Sequence, residues 1–504
     1  MKKTRFLAAF LAALMLAGTM ASCATSTDDP EASKSPSESN TAAVEDETEL
    51  TDNLPNDLNF GGEEITVISR ARLGWFHDEI RVDKLTSDPV NDVIYERNSL
   101  VESRLNVKIV NLTDDSIAAE AVPEKVSTAV KAGTDEYQIM VAAAYTTADS
   151  SLSGIFANLA GTEYIDLEKP WWSQGYNTAM IYGDYQFSAT GAMLISSYRL
   201  AFSTVFNKNL FTEANQPFLY DTVEEGKWTL DKQISLVPIF HRDNGNGTQD
   251  ESGDIYGFIS NDYISVDPYW SACQMDFLGR TEDGEYELIM DTGKIHDVSE
   301  KLLHLYYNTA DGAYILPHED GDHEQETMRR MFAEGLAAMA TLRIIELESS
   351  VMRNTDQEYG VIPMPKFDEA QEDYQTQLHD QFSVVTIPTT VKDERLDMVS
   401  AVVEAMASAS YKIVRPVYYE ETLRTKIAQD PQSALMMDII TQGIYIDAGM
   451  LYSRTFDYFH SSFRSLIQGG TNDATSRFKS IQKKSGKKLT TLNDKLGQLL
   501  SDAE

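Results

Sequence analysis

The chain has 504 residues, with 42 Lys and Arg against 79 Asp and Glu, so its formal net charge is −37. That balance excludes a basic footprint for nucleic acid and argues against electrostatic capture of anionic lipid headgroups. A hydrophobic fraction of 42% excludes global disorder, two cysteines exclude a disulfide scaffold, and the length suggests two or three domains.

Residues Met1 to Cys23 read MKKTRFLAAFLAALMLAGTMASC. Lys2, Lys3 and Arg5 precede an apolar run from Phe6 to Ala17, which is too short to span a bilayer comfortably and has the layout of an export signal. Met20-Ala-Ser-Cys23 resembles the bacterial lipobox, with Met20 where Leu is commoner. The resemblance implies cleavage before Cys23, a diacyl lipid attached to its sulfur, and anchoring by two chains where one would be marginal. Residues 1–22 are then a lipoprotein signal peptide. Residues 23–57, rich in Ser, Thr, Asp, Glu and Pro, are a disordered acidic tether with a reach of roughly 30 Å. Removing three positive charges from −37 leaves the mature chain at −40. With Cys23 lipidated, Cys273 is the one thiol left and reads as a buried small hydrophobe.

The globular part begins near Leu58. Glu64 to Ser69 is a β-rich run, and Val93, Ile94, Leu100, Val101 and Leu105 follow at helical spacing. Asn106 to Val110 predicts a second strand, Pro123 to Ala132 a helix closed by Gly133, and Tyr137 to Ala142 a third strand. This alternation predicts a parallel α/β sheet, in which ligands sit outside the carboxyl ends of the strands. Arg70, Arg72 and Trp75 follow the first strand, and Tyr145 and Thr146 the third. Lys169-Pro-Trp-Trp172 sets Trp171 and Trp172 in a polar loop, either to plug the edge of a core or to offer a flat face to a ligand.

Five further segments carry a resemblance. They are Ser203 to Phe211 (STVFNKNLF), Lys227 to Asp231 (KWTLD), Phe332 to Ala340 (FAEGLAAMA), Tyr359 to Pro365 (YGVIPMP) and Phe382 to Pro388 (FSVVTIP). In order and spacing they resemble the extracellular solute-binding proteins, family 1 and carbohydrate-type, of bacterial ABC importers. Departures are Asn209 for the usual Asp and Leu336 after Gly335. The resemblance implies a periplasmic-binding-protein-like II fold: two α/β lobes joined by hinge strands, with a helical C-terminal region. Residues 58–200 would begin lobe I, 201–385 form lobe II, and 386–504 return to lobe I and supply the C-terminal helices. Ser408 to Glu420 resembles a subgroup of such lipoproteins and has no mechanism attached to it.

By position in that pattern, Tyr198 and Arg199 lie at the first crossover, Arg343 just after the Met339 strand, and Trp270 and Asp276 in lobe II. With Arg70, Trp75, Tyr145, Thr146, Trp171 and Trp172 they make up the candidate ligand set. Aromatic faces cover the apolar side of a sugar ring, while Arg and carboxylate groups bond hydroxyls in pairs. The resemblance implies a monomeric, lipid-anchored protein on the outer face of the cell membrane that hands a small solute, an oligosaccharide, to ABC permease subunits without catalysis. The alternatives are a secreted lipoprotein acting on glycans as an enzyme, and a ligand-sensing partner with the same fold.

Asp243, Asn244, Asn246, Asp250 and Asp254 resemble a calcium loop with one residue missing, or else form a polar hairpin tip. His318 to Glu324 is donor-rich but lacks the spacing of a zinc hydrolase and reads as a solvated acidic loop. Lys483 to Lys488, the one basic cluster, reads as a solvated helix end.

Overall fold

The structure, a computed structural model, describes residues 51–71, 79–309, 312–318, 323–428 and 430–503. Cys23, the signal segment, most of the tether, Arg72 and Trp75 lie outside the described residues. No helix among the described residues is long and apolar enough to cross a membrane.

The first lobe is built on β1 (Glu63–Arg70), β2 (Val107–Asp114) and β3 (Ile139–Ala143). β1 pairs in parallel with β2 and with β3, as the strand and helix alternation predicts. The helix Pro89–Leu105 between β1 and β2 starts where Asp88 accepts from the amides of Val90 (3.0 Å) and Asn91 (3.1 Å). Pro89 then sits at the first helical position, where no amide is needed. The next helix, Ala121–Ala132, stops at Gly133, whose φ of 68° closes its last turn. Both faces of β1 are covered: Ile65 and Val67 belong to one apolar core and Ile68 to another.

The second lobe holds β4 (Phe202–Asn207), β5 (Phe258–Asn261), the small hairpin of β6 (Leu278–Arg280) and β7 (Tyr286–Leu288), β8 (Ala313–Leu316), β9 (Met339–Arg343) and β10 (Tyr359–Ile362). Its five-stranded sheet runs in the order β10-β4-β9-β5-β8. β5 is parallel to β8 and β9, while β4 is antiparallel to β9 and β10. After β11 (Thr376–Gln377), β12 (Ser383–Thr386) returns to the first sheet as the antiparallel neighbour of β3, giving the order β12-β3-β1-β2. β13 (Ile444–Tyr445) pairs with β11.

The outgoing and returning crossings lie side by side. Ala201 bridges Leu378, the His379 amide donates to the Leu200 carbonyl (3.0 Å), and the Ser383 amide donates to the Ser196 hydroxyl (3.0 Å). The helix Asp393–Ala409 passes into wide π-helical turns over Ser410–Val414 and Val417–Ile427. The helix Ala474–Ala503 buries Phe478, Leu492 and Leu496, and its Leu499 and Leu500 lie over Gly154 and Gly183 of the first lobe. Lys483 to Lys488 falls in the middle of this helix, not at an end: Lys483, Lys484 and Lys487 face solvent, and Lys488 pairs with Asp457 at 2.5 Å. Cys273 is a buried free thiol, pushed up to about 12 by burial.

Candidate functional site

The carboxyl ends of β1 and β3 in one sheet, and of β5 and β8 in the other, supply a connected cluster that includes Asp380. Arg70 is the last residue of β1 and is buried. It donates to the Gln381 side chain (2.8 Å) and the Ile117 carbonyl (3.1 Å). Tyr145 is the second residue of the helix Ala144–Ser151, which starts directly after β3, and its amide donates to the Asp380 carbonyl (3.3 Å). Burial pushes its hydroxyl well up, with the Asp380 carboxylate adding to the shift.

From the second lobe, Asn261 ends β5 and accepts from the amides of Tyr263 (3.0 Å) and Ser265 (3.1 Å), which folds the chain into the helix Pro268–Ala272. Tyr263 is sandwiched. One partner is His318, just beyond β8, with ring centroids 3.9 Å apart and planes 13° apart; the other is the Arg464 guanidinium, 4.4 Å from the ring centre. His318 in turn meets Glu324 at 2.9 Å. Arg464, from the helix Phe459–Gln468, donates through Nε to Asp267 Oδ1 (2.6 Å) and through Nη2 to Oδ2. Burial alone would lower the Arg464 pKa, and the Asp267 carboxylate more than reverses that.

Asp380 feels Arg464, Asp267 and Arg70. Burial pushes its carboxyl up to about 6; Arg464 and Arg70 pull it down, and Asp267 pushes it further up. About a fifth of its side chain (21%) stays accessible, so a solute can reach it. His460 is driven down to about 4 by burial and by Arg464. Tyr458 stands partly exposed beside Asp380 and Glu120. It is held there by consecutive left-handed residues, Asp457 (φ 56°) and Tyr458 (φ 53°), a conformation that costs free energy and is usually tied to function.

Arg343 ends β9 at the same edge of the second sheet. It is buried, donates to Glu346 (2.8 Å) and Gln325, and lies 6.0 Å from the Phe202 ring centre. Tyr198 and Arg199 lie at the outgoing crossing and brace it. Arg199 makes a two-pronged pair with Glu348 of the second lobe (3.3 and 2.9 Å), and Tyr418 donates to the same carboxylate (2.7 Å). The Tyr198 and Tyr418 rings are 6.3 Å apart.

Other expected residues are placed elsewhere. Thr146 is buried and donates to the carbonyls of Ala143 (3.1 Å) and Ala119 (3.3 Å), a local role at the helix start. Trp171 and Trp172 are buried in the first lobe, each indole donating to Glu404 at 3.1 Å, so the pair fills a core rather than presenting an open face. Their backbone borders a separate pocket of about 220 Å³, shared with Gly191, Ser197, Leu378 and Gln442. Trp270 is buried edge-on against Phe459 (5.3 Å) and Phe463 (5.6 Å). Asp276 is raised by burial and accepts from Tyr445, away from the Asp380 cluster.

In the expected calcium loop the acidic side chains bond neighbouring residues of the loop itself. Asp243 accepts from the Gly245 amide (2.5 Å), and Asp250 from Asn246 (2.8 Å) and Ser252 (2.6 Å). Asp254 accepts from the Asn244 amide (2.9 Å) and the Tyr256 hydroxyl (3.2 Å). Among the described residues no three His, Cys, Asp or Glu side chains gather as cation ligands.

Sequence reasoning missed Tyr263, Asp267, His318, Asp380, Gln381, Tyr458 and Arg464. The rule that ligands meet strand carboxyl ends would have found Tyr263 and His318 had the short strands β5 and β8 been recognised.

No protein-family model matches the sequence, and no curated protein matches it. Solved structures do match in shape. A cyclic alpha-maltosyl-1,6-maltose binding protein from Arthrobacter globiformis superposes with a TM-score of 0.56 at 12% identity, over 86% of this chain and 100% of the other. An ABC substrate-binding protein from Listeria monocytogenes in complex with cycloalternan gives 0.53 at 13% identity, over 86% and 99%. A Mycobacterium tuberculosis protein in complex with glycerophosphocholine gives 0.51 at 14% identity, over 86% and 99%. The fold is periplasmic-binding-protein-like II. The Asp380 cluster draws Arg70 from the first sheet and Asp267 from the segment after β5 of the second.

Proposed function

We propose that the protein captures a small solute of the oligosaccharide class between its lobes and delivers it to an ABC permease. In this reading it is lipid-anchored at Cys23 on the outer face of the cell membrane and carries out no covalent chemistry. The observation that carries the reading is the convergence of Arg70 and Tyr145 from one sheet with Asp267 of the other lobe and its partner Arg464 on the accessible carboxyl of Asp380. A solute bonded to both sides favours the closed arrangement by the difference in its affinity for the two states, and a permease can read that difference. Mixed aromatic, guanidinium and carboxyl groups suit polyhydroxylated ligands. Sugars are named with several of the similar structures, and glycerophosphocholine with another, so the fold alone leaves the solute class open.

Calorimetry of the mature protein against a panel of oligosaccharides and small polar solutes tests the reading. One member should bind and raise the melting temperature while being recovered intact. Release of a cleaved product would replace this reading with that of a glycan-active enzyme.

A further inference from the structure

Glu79 is a buried carboxyl of the first lobe wedged between the two crossings. Its Oε1 accepts from the amide of Ser196 on the outgoing crossing (2.9 Å), and Ser383 of the returning strand lies against it. Its Oε2 is buried and meets no hydrogen-bond donor among the described residues. The charged and titratable groups facing it come from every surrounding element. Arg97, on the helix Pro89–Leu105, is fully buried. It donates to the backbone carbonyls of Glu79 (3.2 Å) and Ile80 (2.5 Å) and to the Ser410 hydroxyl (3.2 Å), which fixes the segment that carries the carboxyl. Arg199, on the outgoing crossing, is within electrostatic reach of Glu79 but bonded to Glu348 of the second lobe, and Tyr418 of the C-terminal region shares that partner and that reach.

Two carboxyl groups therefore bid for one guanidinium at the hinge. We propose that Glu79 is a proton switch on lobe movement: protonated, it leaves Arg199 on Glu348 and keeps the crossings braced; ionised, it draws Arg199 from Glu348 and loosens them. The proton released passes to solvent. Burial pushes Glu79 up to about 7 in the braced arrangement, against the pull of the Ser196 and Ser383 hydrogen bonds and of Arg199, which puts the switch near neutral pH. A raised carboxyl favours the arrangement that keeps it neutral, so the braced form dominates at lower pH and is lost as pH rises through about 7. One proton limits the change to at most about tenfold per pH unit.

Hydrogen exchange on the solute-free mature chain, corrected for the intrinsic pH dependence of exchange, tests this. Protection of amides in Ser196–Phe202 and Leu378–Ser383 should fall by several-fold, up to about tenfold per unit, between about pH 6 and pH 8, in excess of the fall that lower global stability gives amides of β1 and β2. In Glu79→Gln that excess fall at the crossings should vanish. Should that variant not fold, Glu348→Gln removes the competing partner and should leave the crossings loose already at the lower pH. No excess fall at the crossings in the wild type, or an undiminished excess in Glu79→Gln, overturns the proposal. No solute is needed, so the outcome is separate from that of the solute-binding reading.

Discussion

Two polar–aromatic clusters look alike on paper and differ in their access to solvent. In the first lobe Trp171 and Trp172 converge on Glu404, all three are buried, and burial pushes Glu404 up to about 8. At the cleft, Tyr263 is stacked between His318 and Arg464, and Tyr145 and Tyr458 stand partly open around an accessible Asp380. The first cluster spends its hydrogen bonds internally, so it holds the lobe together. The second is tied across lobes by charges that a solute can re-partner, so it is suited to binding. Residue type does not separate the two; the partner that arrives from distant sequence does.

Truncation should break this comparison where it is strongest. Trp172→Ala removes a buried aromatic and leaves Glu404 short of a donor. We expect a loss of about 3–5 kcal/mol in chemical denaturation, with solute affinity in the surviving folded fraction unchanged; a stable variant with lost affinity would move the tryptophan pair into the cleft. Asp267→Ala leaves Arg464 buried without its carboxylate, which Asp380 only partly replaces, for a cost of roughly 3 kcal/mol together with loss of binding.

A pH series sharpens the contrast. Glu404 (about 8), Asp447 (about 7), Glu79 (about 7) and Asp380 (about 6) are all raised, chiefly by burial. Between the ordinary carboxylate range and these values the folded state holds more protons than the unfolded one. Denaturation midpoints should therefore fall as pH rises from about 5 to about 8. Glu404→Gln should flatten the upper part of that curve and leave the cleft untouched; an unchanged slope would mean that Glu404 is ionised in the fold.

Smallest in stability is Tyr458→Ala. Its ring is partly exposed, so the midpoint should move by less than about 0.5 kcal/mol while affinity for the solute falls about tenfold or more. Equal affinity would remove Tyr458 from the binding surface.

The first lobe was legible because its signals are local. Val93, Ile94, Leu100, Val101 and Leu105 carry a helical period, Gly133 a stop, and the flanking runs a strand composition. Arg70 and Tyr145, expected from the ends of β1 and β3, lie beside Gln381 and Asp380. Trp171 and Trp172 were legible as chemistry but not as position, since Glu404 lies 233 and 232 residues further along. The Asp267–Arg464 pair spans 197 residues and Arg70–Gln381 spans 311, and no sequence period reports contacts of that range. The calcium resemblance rests on local spacing alone, and in the fold Asn, Ser and Thr side chains and backbone amides beside the acids bond to them.

The central claim is that a solute bridges the lobes at Asp380 and closes them. Small-angle scattering of the mature chain, titrated with the solute that calorimetry identifies, tests it most directly. The radius of gyration should fall saturably along the binding isotherm, and the fall should be abolished in Asp380→Ala. Binding with no change in radius, or a full contraction retained in Asp380→Ala, would contradict it.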